Sequence, residues 1–179
     1  INGPALHATI FHSAGTCYAC TVKCKRRVTL KDDTYPLDPR FGGPEYETLG
    51  SLGAQLENDN LPSIAKGNQL CNLYGLDTIS TGGVIAFAME CFENGILTLN
   101  DTGGRPIPFG DGDAMLWLIE EIVHQRGIGK ILSQGVKRAA EIIGKGAEAF
   151  ACHIKGSEMP VHDGRGKTGM ALGYALAAL

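Results

Sequence analysis

Apolar positions recur at helical spacing through the middle of the chain, separated by the punctuation that helices use. In "ENDNLPSIAKGNQLCNLYGLD" the stripe Leu61, Ile64, Ala65, Asn68, Cys71 and Asn72 falls along one helical face. Asn60 suits an N-cap, Pro62 the first turn and Gly75 a left-handed stop, which predicts a helix over roughly 61 to 74. The last turn of that stripe carries the Asn72 amide along the buried face, so a polar partner is expected there. In "DTISTGGVIAFAMECFENG", with Asp77 or Ser80 as cap, apolar residues point in nearly every direction, which predicts a helix buried on most sides.

Residues 96 to 113 are rich in Gly, Pro and Asp and read as a surface connection. Asp113 then caps an amphipathic helix with Met115, Leu116, Trp117, Ile119, Ile122 and Val123 inward and Glu120, His124 and Arg126 outward. "KILSQGVKRAAEIIG" adds helix broken at Gly135, and the irregular "HIKGSEMPVHDGRG" leads into a last apolar helix. Strand signal is weak: "CKRRVTLKDDTY" supports one short hairpin arm. The expectation is a mainly α protein, an irregular helical domain with a Cys-rich cluster-binding loop near its N-terminus. It runs over residues 1–152, and 153–179 open a second helical domain. The start at Ile1 and the end inside an apolar run suggest an excerpt of a longer chain.

Composition narrows the function. With 44% hydrophobic residues among 179, a real core can form. Sixteen basic against 19 acidic residues give a net charge of −3 and no basic stripe, which disfavours nucleic acid. No apolar run approaches the roughly 20 residues of a membrane span, and six cysteines without a disulfide pattern suit a reducing cytoplasm.

Three of those cysteines crowd "GTCYACTVKC" as Cys17-x2-Cys20-x3-Cys24. A disulfide scaffold fits poorly in a chain with its own core. Structural zinc usually shows a second ligand pair, which is missing here, while iron–sulfur clusters commonly take three local cysteines and one remote. Spacing favours the cluster. Cys71, Cys91 and Cys152 each sit where a small apolar residue would, so packing is their expected role. His7 and His12 flank the loop, with surface or capping roles expected.

"CYACTVKC", then "GGPEYETLGSLG" and "LCNLYGLDTISTGG", and in register "NDTGG", "HIKGSEMP" and "GMALGYA", together resemble the helical part of the tungsten-dependent aldehyde:ferredoxin oxidoreductase family. The resemblance covers nearly the whole chain. It implies that Cys17, Cys20 and Cys24 ligate a [4Fe-4S] cluster whose fourth cysteine lies past Leu179. It implies that Asn72, Leu76 and Asp77 contact a pterin of a tungsten (or molybdenum) bis-pterin, with Asn72 standing where the family motif has Asp. Glu47 in "YET" matches a glutamate near the metal, and the family's histidine near the metal is expected just after the chain ends. An aldehyde substrate, ferredoxin, the rest of the same chain and a possible homo-oligomer are the implied partners.

Without the resemblance, Glu47 reads as a first-turn glutamate favoured by the helix dipole. Glu45 reads as a surface carboxylate, and Glu121-x-x-His124 as a solvated helix face. "GRGKTG" fails as a phosphate loop because position 161 is Val161. Asp101 fits a turn as well as a ligand contact.

Overall fold

The computed structural model describes residues 1–176. The chain opens with helix α1 (Gly3–Thr9) and the antiparallel hairpin β1 (Phe11–Gly15) and β2 (Lys25–Val28), with Ser13 opposite Arg27 and Gly15 opposite Lys25. The β2 arm matches the hairpin signal; α1 and β1 gave none. Residues 16–24, which carry the three clustered cysteines, form the loop of this hairpin.

Helix α2 (Tyr46–Ser51) leads to α3 (Leu61–Tyr74) and α4 (Thr78–Glu93). The α3 caps are those read from sequence. Asn60 Oδ1 accepts from Ser63 N at 3.2 Å, and Gly75 takes the left-handed conformation at φ 73°. Asp77 caps α4 by accepting from Ser80 N at 2.7 Å, and α4 buries Val84, Ile85, Phe87, Ala88, Met89 and Cys91.

Residues 96–113 cross the surface but are pinned by buried Leu97, Thr102 and Ile107, so the connection is less free than its composition suggests. Helix α5 (Gly112–His124) starts earlier than expected, because Asp111, not Asp113, accepts from the Asp113 and Ala114 amides, each at 2.9 Å. Its inward face is Met115, Leu118, Ile119 and Ile122, while Leu116, Trp117 and Val123 are only half-buried. Gly135, at φ 82°, separates α6 (Gly129–Leu132) from α7 (Val136–Ile143). A hairpin of β3 (His153–Ile154) and β4 (Ser157–Glu158) precedes α8 (Thr168–Leu176).

One buried cluster joins α3 through α7; a second, of Leu6, Ile10, Val28, Leu37, Leu61 and Ala65, seats the N-terminal hairpin on the start of α3. Gly112 makes the α3–α5 approach possible: a Cβ there would meet the Ser63 side chain. The segment after residue 152 packs back on the helices, with Glu158 Oε1 accepting from Val136 N at 2.6 Å at the start of α7. Among the described residues no helix is long and apolar enough to cross a membrane.

Candidate functional site

A cleft of about 450 Å³ opens between the N-terminal hairpin, α2, the end of α3 and the start of α4. Cys17, Glu47, Asn72, Leu76 and Asp77 all line it. The fold explains the convergence. The turn Gly75–Leu76 ends α3 and Asp77 begins α4, so both helix termini face one opening. Opposite them, Thr48 and Thr78 hydroxyls meet at 2.9 Å, and Ser51 Oγ donates to Thr78 O at 3.0 Å, holding α2 against α4.

Asn72 is exposed rather than buried, a correction to the stripe read from the sequence. Its Nδ2 donates to Asn68 O at 2.9 Å and to Phe41 O at 3.5 Å, so the expected polar partners are carbonyl oxygens. Its Oδ1 has no partner among the described residues. Asp77 uses Oδ2 as the α4 cap, and its Oδ1 is likewise uncommitted among the described residues. Two acceptors with spare capacity thus stand at one cleft.

Glu47 sits in the first turn of α2, as its reading as a first-turn glutamate expects, and both of its carboxylate oxygens have partners as well. Oε2 accepts from Val161 N at 2.9 Å and Oε1 lies 2.7 Å from His162 Nε2. The His162 ring stacks on Tyr46 with centroids 5.6 Å apart, and Tyr174 OH donates to His162 O at 2.8 Å. Burial, then the charges of Glu47 and Asp163, raise the Tyr174 pKa, so this hydroxyl keeps its proton as a donor. His162 lines a second, larger cleft of about 1020 Å³ with Met159, Pro160 and Tyr174. Nothing in the sequence singled out His162; its partner is a long way off along the chain, and no local pattern marks it.

Cys17, Cys20 and Cys24 are exposed on the hairpin loop. The loop is shaped by its own bonds, including Cys20 N to Cys17 O at 3.1 Å and the Thr16 hydroxyl to Cys20 O, and Ala19 takes a left-handed φ of 56°. Among the described residues no three His, Cys, Asp or Glu side chains are gathered as a metal-binding group. Three thiols of the right kind therefore share one loop without being gathered around a centre. Cys71 and Cys91 are fully buried packing residues, and burial pushes each thiol up to about 11, which keeps them protonated and poor ligands. Cys152 departs from the packing expectation: it is exposed, 3.5 Å from Met159 Sδ.

The remaining candidates resolve into structure. His124 pairs with Glu120 at 3.1 Å, whereas Glu121 is mostly covered and bonded to Arg126 at 2.8 Å, so Glu121 is not on a solvated face. Glu45 is exposed and lies at the N-cap of α2 without a side-chain bond. Asp101 closes a turn by accepting from Thr98 N at 2.8 Å and Thr98 Oγ1 at 2.7 Å. His7 stacks on Phe11 at the surface and His12 is exposed.

The model for domains 2 and 3 of aldehyde ferredoxin oxidoreductase matches residues 1–178. The chain belongs to the aldehyde ferredoxin oxidoreductase family. Within it, the tungsten-containing aldehyde ferredoxin oxidoreductase of Thermococcus kodakarensis is 39% identical over 179 residues, covering 97% of this chain and 28% of that protein. An aliphatic sulfonate oxidoreductase WOR-like subunit from Pyrococcus furiosus is 35% identical over 149 residues, covering 81% of this chain and 24% of that protein. Among solved structures, the active-site complex BamBC of benzoyl coenzyme A reductase with 1,5-dienoyl-CoA matches with a TM-score of 0.73 and 30% identity, over 88% of this chain and 23% of that one. The chain thus spans about a quarter of the length of the family relatives it matches.

Proposed function

We propose that this chain is the helical part of an oxidoreductase that oxidises aldehydes to carboxylic acids at a tungsten (or molybdenum) bis-pterin centre, passing electrons through a [4Fe-4S] cluster to ferredoxin in the cytoplasm. The observation that carries this reading is the shared cleft. Residues from three separate segments, Cys17, Glu47 and the Asn72–Leu76–Asp77 turn, meet at one opening in a chain of this family.

Asn72 Oδ1 and Asp77 Oδ1 would accept hydrogen bonds from a pterin edge, with Leu76 packing beside it. When bound, such a centre supplies the two-electron sink and the oxygen donor that aldehyde oxidation needs. The protein's own part is acid–base chemistry and orientation. Glu47 is half-buried, with both carboxylate oxygens fixed from one side, and it would move a proton at Oε1 as the aldehyde becomes an acid. Cys17, Cys20 and Cys24 would hold the cluster once the loop draws them together, with a fourth ligand from the rest of the chain.

The reading is tested with the full-length, metal-loaded protein by following aldehyde-dependent reduction of ferredoxin or a viologen dye. Glu47→Gln is expected to lose about 10²–10⁴-fold in kcat. Full activity in that variant at normal metal content would remove Glu47 from the chemistry. The second reading, a different substrate within the family, draws on the relatives named for benzoyl coenzyme A and aliphatic sulfonate, and the same dye assay with those compounds separates the cases.

A further inference from the structure

We propose that His162 acts through Glu47, as the positioning residue that fixes its carboxylate and takes its proton; this rests on the reading of Glu47 as the acid–base group. Both Glu47 oxygens are engaged by one two-residue segment: Val161 N at 2.9 Å and His162 Nε2 at 2.7 Å. That segment packs directly on α2. A Cβ on Gly50, one turn along α2, would stand 2.8 Å from Val161 Cγ2, so Val161 lies against the bare helix backbone at that turn. The imidazole is held by Tyr46 on its face, with ring planes 17° apart, and its backbone by the Tyr174 hydroxyl.

The pair also spans a wall. Glu47 lines the cleft of Asn72 and Asp77, whereas His162 lines the larger cleft beside it. The charged and titratable groups around the pair leave His162 the one proton carrier in contact with Glu47 among the described residues. Asp163 and Arg165 are closed on each other at 2.7 Å, Tyr174 keeps its proton, Tyr46 offers only its ring face, and Glu45 and Lys25 line Glu47's cleft without bonding to it.

Aldehyde plus water gives acid, two protons and two electrons. The relay carries protons only. With His162 neutral and its proton on Nδ1, the O–H bond at Glu47 Oε1 breaks, an N–H bond forms at Nε2 and the carboxylate is restored. The Nδ1–H bond of the imidazolium then breaks to give a proton to water in the larger cleft, and exchange with water returns the ring to the starting tautomer. The electrons leave separately to a ferredoxin-type acceptor.

The test uses the full-length, metal-loaded protein with His162→Ala, Glu47→Gln and the double variant. The relay predicts that His162→Ala loses about 10²-fold in kcat with KM little changed, and that added imidazole restores most of it. It also predicts a coupling in melting temperature: His162→Ala lowers it in the wild-type background and much less beside Glu47→Gln. Unchanged kcat, a loss that imidazole does not reverse, or no coupling would each overturn the proposal. If His162→Ala loses its metal, His162→Asn replaces it, keeping an amide for Glu47 but no proton to give; full activity there also overturns the relay. Glu47→Gln with full activity sinks the reading of Glu47 itself, whereas an inactive Glu47→Gln beside an active His162→Ala sinks the relay alone.

Discussion

Gly82 of α4 lies so close to Ser51 of α2 that a Cβ built on it would stand 2.6 Å from both the Ser51 Cβ and the Ser51 carbonyl oxygen. Only hydrogen fits in that gap. The approach brings Thr48 and Ser51 onto Thr78, and so sets how far Glu47 stands from Asp77 across the cleft. Gly82→Ala is therefore expected to destabilise the protein by about 1–3 kcal/mol, since a backbone atom blocks the added methyl. The loss is read as a lowered denaturation midpoint. A neutral result would mean that α2 and α4 can part without consequence.

Asn72 presents an amide N–H₂ to two carbonyl oxygens, Asn68 O and Phe41 O. Asn72→Asp would turn a carboxylate oxygen toward them, removing both bonds and adding repulsion. Its exposure lets water relieve part of this, so the expected cost is about 1 kcal/mol. Chemical unfolding of the variant measures it, and a gain in stability would contradict the bonding described.

Much of this architecture is legible in the sequence because its signals are local. Asn60, Gly75 and Asp77 act within a few residues of themselves, and each does in the fold what its type suggests. Gly135 breaks a helix where glycine is expected to. The α5 cap lies two residues before the expected one because "DGD" offers two equivalent aspartates, and only the backbone path decides between them. Asn72 is exposed despite its place on the stripe because helical periodicity says which face it shares but not where the neighbouring helices stop. The contact between Glu47 and His162 could not be read at all, since it arises when residues 160–162 fold back on α2.

Burial raises the Cys71 and Cys91 thiols from 9.0 to about 11, helped by Asp77 near the first and Glu90 near the second. The folded chain keeps these protons where the unfolded chain releases them. Their stabilising contribution is thus complete below about pH 9 and falls as pH rises toward 11. Unfolding midpoints measured across that range should drop, and Cys71→Ala with Cys91→Ala should flatten the slope. An unchanged slope would mean other groups govern the alkaline limb.

The three exposed loop cysteines and the two buried ones have opposite expected behaviour. In the full-length protein, Cys17→Ser, Cys20→Ser and Cys24→Ser should each lower iron content sharply while leaving the fold intact, because those side chains are exposed. Cys71→Ala and Cys91→Ala should keep iron and lose stability instead, since both thiols fill the core. Iron assays paired with melting curves distinguish the groups, and iron retained in all three loop variants would place the cluster elsewhere.

Elemental analysis of the purified full-length protein tests the central claim most directly. A bis-pterin centre beside one [4Fe-4S] cluster predicts about one tungsten or molybdenum and about four iron atoms per chain. Stoichiometric zinc, with neither iron nor tungsten nor molybdenum, would contradict it and make the hairpin loop a structural metal site.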